Sequence, residues 1–184
     1  MQLARGDIAI DCGANIGKVS AHWAKSGATV YAFEPNPHAF KTLKERLATR
    51  PNAHCFQQAV LDRNDKVRLY FHSGSEEDEL RWSSGSSLLG FKRNVLKDKF
   101  AEVDAIDLAE FIRTLGADIK VLKLDVEGVE HAILRKLIES SLHTRIEHIF
   151  VETHENQVPE LQVHTDELRA LIKSLHITNI NLDW

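Results

Sequence analysis

Four carboxylates in this 184-residue chain stand at the ends of apolar runs. Asp11 ends the run from Ile8 to Ile10, and Glu34 follows Thr29-Val-Tyr-Ala-Phe33. Asp125 follows Ile119 to Leu124, and Glu152 follows Ile146 to Val151. Each run has the length and β-branched content of a buried strand. A fifth run, Ala53 to Val60, ends near Ala59 without an acid. A single acid at a strand end often does no more than cap the next helix. Four of them along one edge can accept hydroxyl groups, attract a cation and take a proton. The carboxyl edge of a parallel sheet is also where such folds bind ligands.

The first of these ends carries the most information. Asp11-Cys-Gly13-Ala14-Asn15-Ile-Gly17 opens a helix with two glycines four residues apart. A dinucleotide-binding turn needs its second glycine two residues after the first, so that the backbone can touch a pyrophosphate. Asn15 holds that position here. Glu34 lies 21 residues after Gly13, where an acid accepts both hydroxyls of an adenosine-type ribose and would repel a 2′-phosphate. Asp11 beside the turn repels a pyrophosphate but suits a ligand carrying an ammonium and a sulfonium. The charge pattern therefore favours S-adenosylmethionine over NAD.

The elements that position these acids alternate. Helical stripes follow the first strand (Lys18 to Lys25), the second (Phe40, Leu43, Leu47), the fourth (Val129, Ile133, Leu134, Leu137) and the fifth (Leu168, Leu171, Ile172, Leu175). A last strand is expected over Ile177 to Leu182. Strand-helix alternation predicts an α/β fold, a Rossmann-like, doubly wound and mostly parallel sheet. The middle departs from it. Val67 to Phe71 alternates like a half-exposed strand, Phe100 to Ala105 is its expected antiparallel partner, and Asp107-Leu-Ala-Glu110 reads as a capping box. A short β insertion is thus expected between the third and fourth core strands. Thr165 or Asp166 is the expected cap of the last helix.

Length and composition set outer bounds. The chain is expected to form one domain over residues 1–184. Its net charge of −4 gives no electrostatic reason to hold nucleic acid or an anionic membrane. No run of 18 apolar residues and no signal-peptide pattern occurs. Two cysteines, Cys12 and Cys55, on or beside buried strands suit reduced thiols in a cytoplasmic protein.

Asp11-Cys-Gly-Ala-Asn-Ile-Gly17, Phe33-Glu-Pro-Asn-Pro37 with Phe40 and Leu43, Ser86-Ser87-Leu88, and Leu124-Asp-Val-Glu-Gly-Val-Glu130 together resemble FkbM-type S-adenosylmethionine-dependent methyltransferases. The likeness runs from about Gly6 to Glu152. It implies a class I methyltransferase fold and O-methylation of a hydroxyl on a small molecule or sugar. Carried over by motif, Gly13, Ala14, Asn15 and Gly17 hold the methionine part of the cofactor, with Asp11 near its ammonium. Glu34 binds the ribose hydroxyls and Asn36 lies near the adenosine. Gln58 and Ala59 are placed to line the adenine. Position 12 is Cys where the family commonly has an aliphatic residue. Family members usually extend further at both ends, so a lid or part of the antiparallel edge is expected to lie outside this chain.

Methyl transfer is an in-line displacement, and an alcohol acceptor benefits from a base. The candidates are Asp125, Glu127, Glu130 and His154; for Glu130 the alternative is a helix-dipole partner, and His154 is either a base titrating near neutrality or an exposed loop histidine. Asp125, Glu127, Glu152 and His154 also have the ligand types for a divalent cation, but nothing in their spacing demands one, and no metal ligand is assigned. Gly74 to Gly90, with Trp82, is the expected acceptor loop. Two other functions stand beside this one: an NAD-dependent oxidoreductase, disfavoured by Asn15, and a non-catalytic cofactor-binding module.

Overall fold

The computed structural model describes residues 2–72 and 95–183. The expected acceptor loop, Gly74 to Gly90, with Trp82 and the Ser86-Ser87-Leu88 patch, lies outside the described residues.

Six strands form one wholly parallel sheet: β1 (Ile8–Cys12), β2 (Thr29–Phe33), β3 (Ala53–Phe56), β7 (Ile119–Leu124), β8 (Ile146–Val151) and β9 (Ile180–Asn181), in the order β3-β2-β1-β7-β8-β9. The chain winds outward from β1 to β3, then restarts on the other side of β1 with β7. The strand order therefore reverses at β1 and β7, and above the carboxyl ends of such a pair folds of this kind form their ligand crevice. Register brings the acids to one level. Cys12 pairs with both Phe33 and Leu124, and Leu124 pairs with Val151. Glu34, Asp125 and Glu152 are the residues immediately after those partners.

Both faces are covered. Helices α1 (Lys18–Lys25) and α2 (Pro37–Leu47) lay Trp23, Ala24, Leu43 and Leu47 on Ala9, Val30, Ala32 and Val121. Helices α3 (Leu108–Leu115), α4 (Glu130–Glu139) and α5 (Gln162–Ser174) bury Ile112, Leu134 and Leu168 in the core of Ile10, Phe33, Leu122 and Ile149. Strands buried on both sides read as continuous apolar runs, as these do. Among the described residues no helix is long and apolar enough to cross a membrane.

The insertion is a second sheet of β4 (Ala59–Leu61), β5 (Asp65–His72) and β6 (Val95–Asp107), in the order β4-β6-β5. The expected antiparallel pairing is present, with Val67 opposite Val103 and Tyr70 opposite Phe100, but both strands run longer than their alternation indicates. Lys136 of α4 ties this sheet to the helix layer, donating to the Asp62 carbonyl and the Asp107 carboxylate, each at 2.5 Å.

Four further features differ from expectation. The run Ala53 to Val60 is two strands, broken at Gln57-Gln58, because Ala59 and Leu61 turn into the core of the second sheet while Val60 stays in the main one. Apolar content cannot distinguish one core from two. The last strand is only Ile180–Asn181. Helix α5 begins at Gln162, and Thr165 lies inside it, donating to the Leu161 carbonyl. The capping box is half made: Asp107 Oδ1 accepts from the N–H groups of Ala109 and Glu110, but Asn64, not Glu110, receives the Asp107 N–H.

Candidate active site

The turn after β1 closes on the sheet itself. The N–H groups of Gly13 and Ala14 both donate to the Phe33 carbonyl, at 3.0 and 2.9 Å. The Asn15 N–H donates to Glu34 Oε2 at 2.7 Å. Three consecutive amides are thus engaged within the protein. Asn15 adopts φ +49, a left-handed conformation that asparagine tolerates better than most residues. A Cβ on Gly13 would lie 1.8 Å from the Asp125 carbonyl oxygen, so this glycine lets the turn pack against the end of β7.

Glu34 joins that turn to the next. Its second oxygen accepts from the Asn36 N–H at 2.8 Å, and the side chain is buried. Burial pushes its carboxyl up to about 7, against the two backbone hydrogen bonds and Lys123, which pull it down. Asn36 caps α2, its Oδ1 accepting from the His38 and Ala39 N–H groups. Gln58 is half-buried where the chain leaves the main sheet, and Ala59 is buried beyond it.

Asp11 is fully buried on the α1 side of the sheet. Its Oδ2 accepts from Ser20 Oγ at 2.5 Å, and its Oδ1 lies 3.4 Å from Lys123 Nζ on the paired strand. Lys123 also donates to the Gly13 carbonyl at 3.0 Å and to Asp125 Oδ2 at 3.1 Å. Burial opposes its charge, yet Asp11 and Asp125 outweigh it and hold the ammonium above its ordinary range. This lysine escapes a reading based on apolar runs. Its signal was a lone charge inside Val-Leu-Lys-Leu.

The turn after β7 is organised by Glu130. This buried carboxylate accepts from the N–H groups of Val126 and Gly128, at 3.0 Å each. Glu127 between them sits at φ +61, unusual for a residue with a side chain. His154, beyond β8, is buried against this turn. Its Nδ1 lies 3.0 Å from Glu130 Oε1, with Nε2 at 3.5 Å from Glu127 and 3.7 Å from Asp125. Burial disfavours the imidazolium, but Glu130 first and then Glu127 and Asp125 raise it to about 9. The titration near neutrality expected of His154 is therefore displaced upward. Glu130 is more than a dipole partner: burial raises its carboxyl, but His154 and the backbone donors bring it below the ordinary range. Glu152 is half-buried, its carboxyl raised by burial and by Asp125.

The fold thus gathers Asp125, Glu127 and His154 on one side of the crevice and the Gly13-Asn15 turn with Glu34 on the other. A separate cleft of about 780 Å³ opens between the second sheet and α4, lined by Val67, Tyr70, Gly128, Val129 and His131. The sequence profile of the Methyltransferase FkbM domain matches residues 11–176, from the buried Asp11 to beyond α5. The chain belongs to the FkbM methyltransferase family. The 31-O-demethyl-FK506 methyltransferase FkbM of Streptomyces tacrolimicus is 30% identical, over 84% of this chain and 68% of that enzyme. The 2-O-methyltransferase NoeI of Sinorhizobium fredii is 24% identical, over 91% of this chain and 70% of its own length. The crystal structure of the methyltransferase FkbM from Methylobacillus flagellatus KT aligns with 78% of this chain at a TM-score of 0.50 and 16% identity, and this likeness is one of fold. The present chain spans 32% of that FkbM chain.

Proposed function

We propose that residues 1–184 act as one domain that transfers a methyl group from S-adenosylmethionine to a hydroxyl oxygen of a small molecule. The carrying observation is the pinned carboxylate of Glu34 beside a turn whose Gly13, Ala14 and Asn15 amides are already engaged. A ribose can donate to the remaining lone pairs of Glu34. A pyrophosphate finds acids where it needs amides, which argues against NAD. The two named relatives are O-methyltransferases, which supports oxygen as the acceptor atom.

The cofactor supplies a methyl group on a positively charged sulfur. The chain supplies alignment and charge. Glu34 takes the ribose hydroxyls, with Asn36, Gln58 and Ala59 around the base, and the Gly13-Gly17 turn borders the methionine part. Asp11 acts from beneath the turn, holding Lys123. Asp125 and Glu127 are partly exposed and stand as acceptors for the hydroxyl proton. His154, held as a cation at neutral pH, orients them. The 780 Å³ cleft has the volume of a small-molecule site.

Titration with S-adenosylhomocysteine and with NAD tests the cofactor: the former is expected to bind, and binding of NAD alone would overturn the reading. Asp125→Asn is expected to lower kcat on the order of 100-fold. An unchanged rate removes Asp125 from the catalytic set.

Binding should also depend on pH. With Glu34 at about 7 in the free protein and its carboxylate needed to accept the ribose, affinity falls as pH drops below 7. S-adenosylhomocysteine is expected to bind about ten-fold more weakly at pH 6 than at pH 8. In Glu34→Gln that slope should vanish, and a slope persisting there would assign it to another group. The same shift has a cost in stability. Between the ordinary value of 4.5 and about 7 the folded chain binds the extra proton, so this residue's contribution declines as pH rises. The total decline is about 3 kcal/mol.

A further inference from the structure

Asp125, Glu127 and His154 each offer one ligand atom, and the three atoms lie within 4.8 Å of one another. The chain separations alone, 2 and 27 residues, gave no hint of it. The imidazole distinguishes this group from a mere cluster of acids. His154 is 1% exposed, and its Nε2 points between the two carboxylates at 3.5 and 3.7 Å, longer than the 2.7–3.2 Å of a usual hydrogen bond. Its Nδ1 is a buried nitrogen without an aligned hydrogen bond, set 3.0 Å from Glu130.

Those spacings suit a small cation. Ligand atoms about 2.1 Å from a metal lie about 3.0–3.4 Å apart, so these atoms, within 4.8 Å of one another, would draw in around the ion. The outer layer also fits. A metal-binding histidine characteristically gives its other ring N–H to a carboxylate. Glu130 stands at that ring nitrogen and is itself held by the Val126 and Gly128 amides. One imidazole with two carboxylates favours a transition-metal dication such as Mn²⁺ or Zn²⁺ over Ca²⁺. Asp125 and Glu127 are 25% and 18% exposed on their side chains, so an ion can enter and positions remain open toward the crevice.

We infer that Asp125, Glu127 and His154 form a divalent-cation site beside the methyl-transfer crevice, the ion displacing the Nε2 proton that His154 carries in the ion-free chain, with Glu130 as its outer support. Its role there rests on the O-methyltransferase reading, since a cation at this place polarises a hydroxyl oxygen brought in from the crevice. The site itself does not depend on that reading. Lys123, also in contact with Asp125, and Glu152, beyond β8, are the other charges facing it.

The experiment measures binding without activity. The full chain, stripped with a chelator, is titrated with MnCl₂ by calorimetry and by loss of the free Mn²⁺ electron-resonance signal, and ZnCl₂ is titrated separately. One ion per chain is expected, bound at least ten-fold more weakly by Glu127→Gln and little altered in Glu152→Gln. Circular dichroism confirms that each variant is folded; should Glu127→Gln not fold, Asp125→Asn takes its place. Absence of saturable binding of either ion, or equal affinity in the folded ligand variant, overturns the site. S-adenosylhomocysteine titrated in excess chelator reports on the cofactor reading separately, so either can fail alone.

Discussion

Lys123→Met is expected to lower the unfolding free energy by about 3–5 kcal/mol in urea denaturation at neutral pH. Methionine fills most of the lysine's volume, so packing is not the cause. The loss arises because fully buried Asp11 loses the ammonium 3.4 Å away, while Asp125 loses a 3.1 Å partner. Distance alone would mislead here. Lys66 and Asp104 are closer, at 2.7 Å, but their side chains are 79% and 61% exposed. Water screens that pair, and Lys66→Met should leave stability nearly unchanged. Adding Asp11→Asn to Lys123→Met should recover part of the loss. If the two substitutions instead cost independent amounts, the buried pair is not coupled and this account fails.

Gly13→Ala should be at least as damaging, removing about 4 kcal/mol or more from a fold whose kind has about 5–15 in total. Two effects add. At φ +77 any Cβ costs about 1–2 kcal/mol. The new methyl would also stand 1.8 Å from the Asp125 carbonyl oxygen and 2.9 Å from its carbon, and backbone atoms held at the end of a central strand have little room to step aside. Gly6 separates the two effects. Its φ is +99, but a Cβ there meets nothing within 4 Å, so Gly6→Ala should lose only the conformational part. Equal melting temperatures for the two variants would show that the approach to Asp125 is unimportant.

Much of this arrangement was legible in the chain. The central strands are long apolar runs because both faces are covered, and each ends at an acid because the crevice begins there. The spacing from Gly13 to Glu34 located the second strand's end, and register then brings Glu34 level with Asp125. Three things were not legible. Gln57-Gln58 separates two cores that apolar content cannot tell apart. Lys123 reads as an interruption until its strand is paired with Asp11. Glu130 reads as an ordinary first-turn acid, since only the folded turn shows which amides it collects. Each depends on a partner distant in sequence or on backbone direction, and periodicity reports neither.

The same pairing that completes the crevice also sets an order of events in synthesis. The bond from Lys123 to the Gly13 carbonyl spans 110 residues, and β1 stays one-sided until β7 arrives. At about 5–20 residues per second, β1 waits roughly 5–20 s on the ribosome for β7 with an apolar edge open. During that interval β1, β2 and β3 can pair among themselves, with α1 and α2 covering one face only. A nascent chain halted before residue 119 should accordingly be captured by chaperones, and one extended past Val151 should be released.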